Sequence, residues 1–268
     1  TNQPTMAVET KDTTTTTTPK TMTMQPTSYW IAHAACAAIS YIIIDSFWEF
    51  NDATEALAFY GVYHRYPLNQ FVHFFGVPGI LWSFFMFMVH IPFPLSSKIV
   101  PDGGVDYALI MAIAYELFYL GIDPLGGTLY APVIYAMYHS SVKMREYDHQ
   151  EAKVAAIRKT ASSSSLNSRI STPWYGTGKL MKFAAFIHFM SWYVQIHLGH
   201  KIIEGATPAV FESFGGALSV APLFAFYEGL WFVGINQGLQ NTTLQLVDDY
   251  TTELCSQGAL MKVCETLS

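Results

Sequence analysis

Polar and hydrophobic positions fall into long blocks along this chain. Asp, Glu, Lys and Arg are absent from Tyr66 to Ser97, from Pro124 to Val142 and from Phe183 to His200, and Glu228 alone interrupts Ala217 to Val247. A helix crossing about 30 Å of hydrocarbon needs about 20 mostly apolar residues, and several of these stretches supply them. The pattern predicts apolar helices at 74–93, 105–122, 125–142, 181–200 and 213–235, with the second and third joined as a hairpin at Asp123-Pro124. Tyr29 to Ile44 is apolar but short, and Asp45, Glu49, Asp52 and Glu55 follow it. It reads equally as a short span or as a helix lying in the interface. Ala53 to Arg65 reads as a helix that stops before Pro67, since the residue preceding a proline is pushed out of the helical region. Asn69 stands where an N-cap belongs, and a long helix follows from Gln70.

The blocks divide the chain. Residues 1–28, with a six-Thr run at Thr13–Thr18, are too polar to bury a core and read as a disordered tail. A membrane-embedded domain spans 29–240, a polar loop with Ser162–Ser165 at its centre interrupts it at 143–179, and 241–268 is a polar C-terminal tail. The expected fold class is all-α, a polytopic membrane bundle of about five or six hydrophobic helices, with its chemistry near one membrane face. Eight of the fourteen Lys and Arg residues lie between 143 and 182, which under the positive-inside rule favours a cytoplasmic loop.

Composition sharpens this picture. Residues are 51% hydrophobic and 13% charged, against about 25% charged in soluble domains. The net charge of −6 offers no basic face to a nucleic acid. Cys36, Cys255 and Cys264 are too few and too scattered for a disulfide framework or a cysteine zinc site, and read as free thiols. No basic n-region precedes a short apolar run at the start, so insertion is expected to rest on the internal apolar segments.

Of nine histidines, those near the helix ends carry the chemistry. On one helix the nine-residue gap from His64 to His73 would set them about 180° apart, but the break at Pro67–Asn69 lets both face one pocket. His197, His200 and Glu204 share one α-helical face, with Gln195 on the adjoining one. Imidazole is the commonest metal ligand at neutral pH, and histidines with a carboxylate and open positions suit Fe(II) oxygen chemistry. Buried ionisable groups in membranes tend to be functional. His33, His90, His139, His149 and His188 read as interfacial or hydrogen-bonded residues, and spacing alone leaves a metal site and ordinary polar histidines equally open at His64, His73 and His200. Glu228, isolated in an apolar stretch, calls for a polar partner inside the bundle.

At these residues the chain resembles a known family. The run Phe59-Tyr60-Gly61-Val62-Tyr63-His64-Arg65-Tyr66-Pro67-Leu68-Asn69-Gln70-Phe71-Val72-His73, then Val77-Pro78, is similar to the opening signature of the fungal and bacterial 2-hydroxy fatty acid dioxygenases. Gln195, Gly199-His200, Glu204, Pro208-Ala209, Ala221-Pro222-Leu223-Phe224 and Glu228 match the second signature, so the resemblance covers roughly 53–240 without the loop. It implies an Fe(II)-dependent, multi-pass enzyme of the endoplasmic reticulum membrane, acting in fatty-acid α-oxidation. Its substrates would be dioxygen and a long-chain 2-hydroxy fatty acid, which it shortens by one carbon. The resemblance makes His64, His73 and His200 the metal ligands and gives Asn69, Gln195, Glu204 and Glu228 polar roles, with Glu204 as a fourth ligand or a partner of His200. His197 falls outside the motif. Where the family often carries basic residues before Pro-Ala, this chain has Gly205, Ala206 and Thr207, leaving Arg65 or Lys201 to meet a substrate carboxylate.

Two rival readings remain. A di-iron hydroxylase needs clustered histidine boxes, and His197–His200 is the only close pair of that spacing. A membrane scaffold or small transporter would use the histidines as interfacial polar groups. Four crossings between His73 and His200 would return the chain to its starting face, so the histidines can meet. The basic loop then lies on the opposite face, which sets the charge rule against the cytosolic site that the resemblance implies.

Overall fold

Residues 25–94, 104–162, 172–258 and 262–267 are described by the computed structural model. Most of the expected tail at 1–28 and nearly all of the Ser162–Ser165 run lie outside them. Among the described residues the chain is all-helical, as its apolar blocks foretold, and the only β-type pairing is a bridge between Pro92 and Asp106.

Helix α1 (Thr27–Asp45) runs into a 3-10 turn at Ser46–Glu49. Asp52 caps α2 (Ala53–Gly61) by accepting the Glu55 N–H at 2.9 Å, which satisfies one orphan donor of the first turn. The helix does not reach Arg65. Tyr63 N–H and His64 N–H donate to carbonyls three residues back, the tightened geometry of a helix ending. Next, Tyr66 is extended and Pro67 opens α3 (Pro67–Met88) at its first position, where a missing N–H costs nothing. Asn69 is therefore not the expected cap. It sits inside the first turn, and its side chain is free to reach elsewhere.

Asp106 caps α4 (Tyr107–Ile122) through Leu109 N–H, and Asp123 turns the chain into α5 (Pro124–Ser162) by accepting Leu125 N–H and Gly126 N–H. The expected hairpin forms. Helix α5, however, continues well into the segment expected as a loop. Its polar residues find partners there: Lys143 with Glu146 at 2.9 Å, Arg145 with Asp106 at 3.1 Å, and Glu151 with Lys179 at 2.5 Å. Helix α6 (Lys179–Tyr193) passes directly into a π-helical segment at Val194–Glu204, which ends at Gly205 with φ +64°. Ser213 caps α7 (Phe214–Phe232), followed by α8 (Gln237–Ser256) and the short α9 (Lys262–Leu267).

Helix α3 is the hub, packed on α6, the π segment, α7 and α5. Helix α8 lies along α2, and Val247 is 3% exposed in the core, so the C-terminal segment seals the bundle through an apolar stripe. Gly61 permits that contact, because a Cβ there would lie 2.9 Å from Val247 Cγ2. Helices α4 and α7 are tied by Tyr115 and Tyr119, whose hydroxyls donate to Leu218 O and Ser219 O. One expectation is overturned here. Cys255 and Cys264 are not free thiols but form a disulfide, because α9 folds back beside the end of α8 and brings their Cα atoms to 5.4 Å. Cys36 is a buried free thiol.

Among the described residues, two helices are long and apolar enough to cross a membrane, Thr27–Glu49 and Pro67–Met88, and α4 is a shorter apolar helix. Large apolar side chains lie exposed on α1, α3 and α6, among them Trp30, Tyr41, Phe71, Phe75, Phe186 and Phe189.

Candidate metal centre

Three imidazoles from separate segments converge. His64 comes from the tightened end of α2, His73 from the second turn of α3 and His200 from the π segment. All are 3% exposed or less, with ring centroids 4.3, 4.8 and 4.9 Å apart. One nitrogen from each lies within 4.8 Å of the others, a grouping able to hold a metal ion.

The local backbone fixes how two of the rings present themselves. His64 Nδ1 donates to Tyr60 O at 2.8 Å and His73 Nδ1 donates to Asn69 O at 2.9 Å, since a carbonyl can only accept. Both rings then carry their proton on Nδ1 and leave Nε2 as a lone-pair donor, the form in which histidine binds metals. His64 is further held by stacking on the Tyr60 ring, 4.1 Å between centroids and 10° between planes. His64 Nε2 and His200 Nδ1 are buried and have no hydrogen-bond partner among the described residues. Buried polar atoms are rarely left unpaired, and here two of them belong to rings whose centroids lie 4.8 Å apart. Burial, followed by the neighbouring His73 and His200 rings, holds His64 well below the ordinary histidine pKa despite the bond to Tyr60 O. It is neutral at physiological pH, as a ligand must be.

Glu204 ties the segments together. Its carboxylate accepts Arg65 N–H at 2.9 Å, Tyr66 N–H at 3.2 Å and Asn69 Nδ2 at 3.1 Å. Burial raises its pKa and these donors pull it back. The carboxylate of the π segment thus grips the linker that carries His64 and the turn that carries His73. The π geometry also corrects the expected face. With i→i+5 bonding the repeat exceeds that of an α-helix, and Gln195, Gly199, His200 and Glu204 form its buried side. His197 is turned outward, stacked on Tyr193 at 5.3 Å.

Gly199 was not singled out by spacing, yet it sets how closely the π segment meets α3. A Cβ there would come 3.1 Å from His73 Cε1 and closer still to Asn69 Oδ1. Its signal was a glycine inside a helix next to a candidate ligand, a sign of close backbone approach. Tyr60 was likewise passed over, because a phenol stacking on a ligand leaves no spacing pattern. Of the two cations considered for a substrate carboxylate, Arg65 is engaged by Asp248 at 2.7 Å and Thr251 at 3.1 Å, and Lys201 is exposed.

Two cavities share the three histidines. One, of about 250 Å³, is lined mainly by apolar side chains such as Ile43, Val77, Leu81, Phe84 and Leu218, and includes His73 and His200. The other, of about 290 Å³, is bordered by His64, Arg65, Gln70, Glu228, Trp231 and Thr243. Gln195 lines the first, with Nε2 donating to Ser191 O at 2.9 Å. Glu228 faces the second and has no protein partner of the kind the sequence called for, among the described residues.

Fold and site together define an all-helical protein whose three buried histidines are placed to hold a metal ion beside an apolar cavity. Residues 50–230 match the model of the Mpo1-like family, described as 2-hydroxy-palmitic acid dioxygenase Mpo1-like, and the chain belongs to that family. This is the family its two motifs resembled, and it links the chain to dioxygenase activity on 2-hydroxy fatty acids. No curated protein and no solved structure matches the chain.

Proposed function

We propose that this chain is a membrane-embedded, Fe(II)-dependent dioxygenase that shortens a long-chain 2-hydroxy fatty acid by one carbon, as in α-oxidation. The observation that carries the reading is the convergence of His64, His73 and His200, with unpartnered ring nitrogens, beside an apolar cavity. Three neutral imidazoles with room for further ligands suit iron in oxygen chemistry. Bound there, the metal would activate dioxygen and orient the hydroxy acid. The reaction balances without an organic reductant: R–CH(OH)–COO⁻ and O₂ give R–COO⁻, CO₂ and H₂O. The bond between C1 and C2 breaks, the substrate gives four electrons and dioxygen accepts them.

The protein's own part is positional. The cavity walls of α3, α6 and α7 hold the acyl chain out of water. Tyr60 O and Asn69 O fix the tautomers of His64 and His73, while Glu204 acts as the carboxylate that orders both from outside the ligand set. Gln195 lines the cavity that His73 and His200 share, within the same buried face as His200, where it can orient the substrate head. The exposed aromatic side chains of α1, α3 and α6 and the two spanning-length helices support contact with lipid, since patches of this kind seek an apolar partner. A multi-pass placement in the endoplasmic reticulum membrane is the corresponding proposal.

Iron content measured with product analysis on 2-hydroxypalmitate tests this reading. About one iron per chain and a fifteen-carbon acid are expected. Two irons per chain would favour a di-iron hydroxylase, and none would favour a scaffold.

A further inference from the structure

The polar cavity beside His64 is unlike the apolar one in what its walls demand. Both carboxylate oxygens of Glu228, Trp231 Nε1 and Thr243 Oγ1 are buried and unpartnered among the described residues, and all three side chains line this cavity. Thr243 is 1% exposed and Trp231 8%. Acceptors and donors that are buried together need polar occupants. At about 30 Å³ per water, about 290 Å³ holds several. The cation that borders the cavity, Arg65, is held by Asp248 and Thr251, which leaves the Glu228 carboxyl without a partner in the wall. The rim carries the exposed side chains Phe232 and Leu244. At the inner wall stands His64, whose Nε2 is unpartnered.

We propose that this cavity is the aqueous port of the histidine centre, through which a hydrated divalent cation and water reach the imidazoles, with the unpartnered Glu228 carboxyl oxygens standing in for part of the cation's water. The inference rests on the metal-centre reading above and adds its route. A hydrated ion does not cross a cavity walled by Ile43, Val77, Leu81 and Phe84, because stripping its water without replacement is prohibitive. The polar cavity offers oxygen and nitrogen atoms in place of that water. The division is then functional: acyl chain in one compartment, water and cation in the other.

The test is the rate of Co²⁺ uptake by metal-free protein in lipid nanodiscs, followed by the absorption of the cobalt–imidazole complex, with no substrate present. Glu228→Gln keeps the shape and replaces one carboxyl oxygen with an amide nitrogen, and Thr243→Leu narrows the cavity without touching a histidine. Both should slow uptake about tenfold, through the polar contact each takes from the route, with the final Co²⁺ per chain unchanged. Ala217→Phe, which fills the apolar cavity, should leave the rate as it is. Wild-type rates in both port variants would overturn the proposal, as would slowing by Ala217→Phe alone. A lower final stoichiometry in Glu228→Gln would make Glu228 a ligand and also overturn it. If the unaltered protein binds no Co²⁺ at all, the metal-centre reading falls first and the port with it.

Discussion

Histidines gather near the start of α3 and again just past its end, and the two groups are built differently. Around His73 three imidazoles face one another, and two of them spend Nδ1 on a carbonyl of their own helical turn. Past the far end, His90 and His149 spend ring nitrogens on each other, Nδ1 to Nε2 at 3.3 Å, with the rings stacked. Arg145 stands nearby, bonded to Val89 O and Asp106. The neighbouring carboxylate of Asp148 is occupied by the N–H and hydroxyl of Thr177. The first group has three buried histidines, and the second has two, of which His90 is buried and His149 partly so. What separates them is where the backbone puts the ring protons, and whether a cation or an open cavity stands beside the free nitrogens.

The largest expected effect is on the first group. His64→Ala, His73→Ala and His200→Ala should each lower metal affinity by more than the about 10–100-fold typical of losing an outer-shell partner, with the protein still inserted. Metal analysis of the three variants checks this, and wild-type metal content in all of them would dissolve the distinction between the two ends of α3. Glu204→Gln comes next. If the carboxylate orders the ligands from outside, affinity should fall about 10–100-fold, and unchanged binding and turnover would make Glu204 purely structural.

Gly199→Ala tests the close approach itself. Its Cβ must push the π segment off His73 and Asn69, at about 1–3 kcal/mol for overpacking, which should lower the thermal midpoint and weaken metal binding together. Acid sharpens the comparison further. His64 is held well below the ordinary pKa, so the unfolded chain takes up its proton first. The stability this gives the metal-free protein is whole above about pH 6.5 and is lost as pH falls towards the depressed folded value. Thermal midpoints of metal-free protein across this range report it, and His64→Ala should flatten the slope. Smallest of all, His90→Ala should leave metal content near normal, and a large loss there would show that both ends of α3 take part.

Much of this was legible in the chain. The charge-free blocks specified an all-helical protein, because long apolar stretches have few other ways to satisfy their backbone away from water, and the helices run through Pro78, Pro132 and Pro222. Pro67 specified a break between His64 and His73, and the break is what lets both face one pocket. The family was legible from two motifs of local sequence, since such motifs preserve residue type and order whatever the fold does between them. Other features had no local signal. Helix α5 runs past Lys143 because Asp106 and Lys179, distant in sequence, supply partners for Arg145 and Glu151. The Cys255–Cys264 bridge depended on α9 folding back.

At the site the same division holds. Residue types and the proline break determined which histidines could meet. Only the tertiary structure decided which did: the π segment, a backbone choice made by packing against α3, turned His197 outward and set Gln195, Gly199, His200 and Glu204 on one buried side. It also decided what Glu204 touches, since its three donors lie about 140 residues away along the chain. A sequence fixes the chemistry of each side chain and the turns its backbone will tolerate. Contacts between distant segments depend on the sum of all packing, and that sum exists only once the chain has folded.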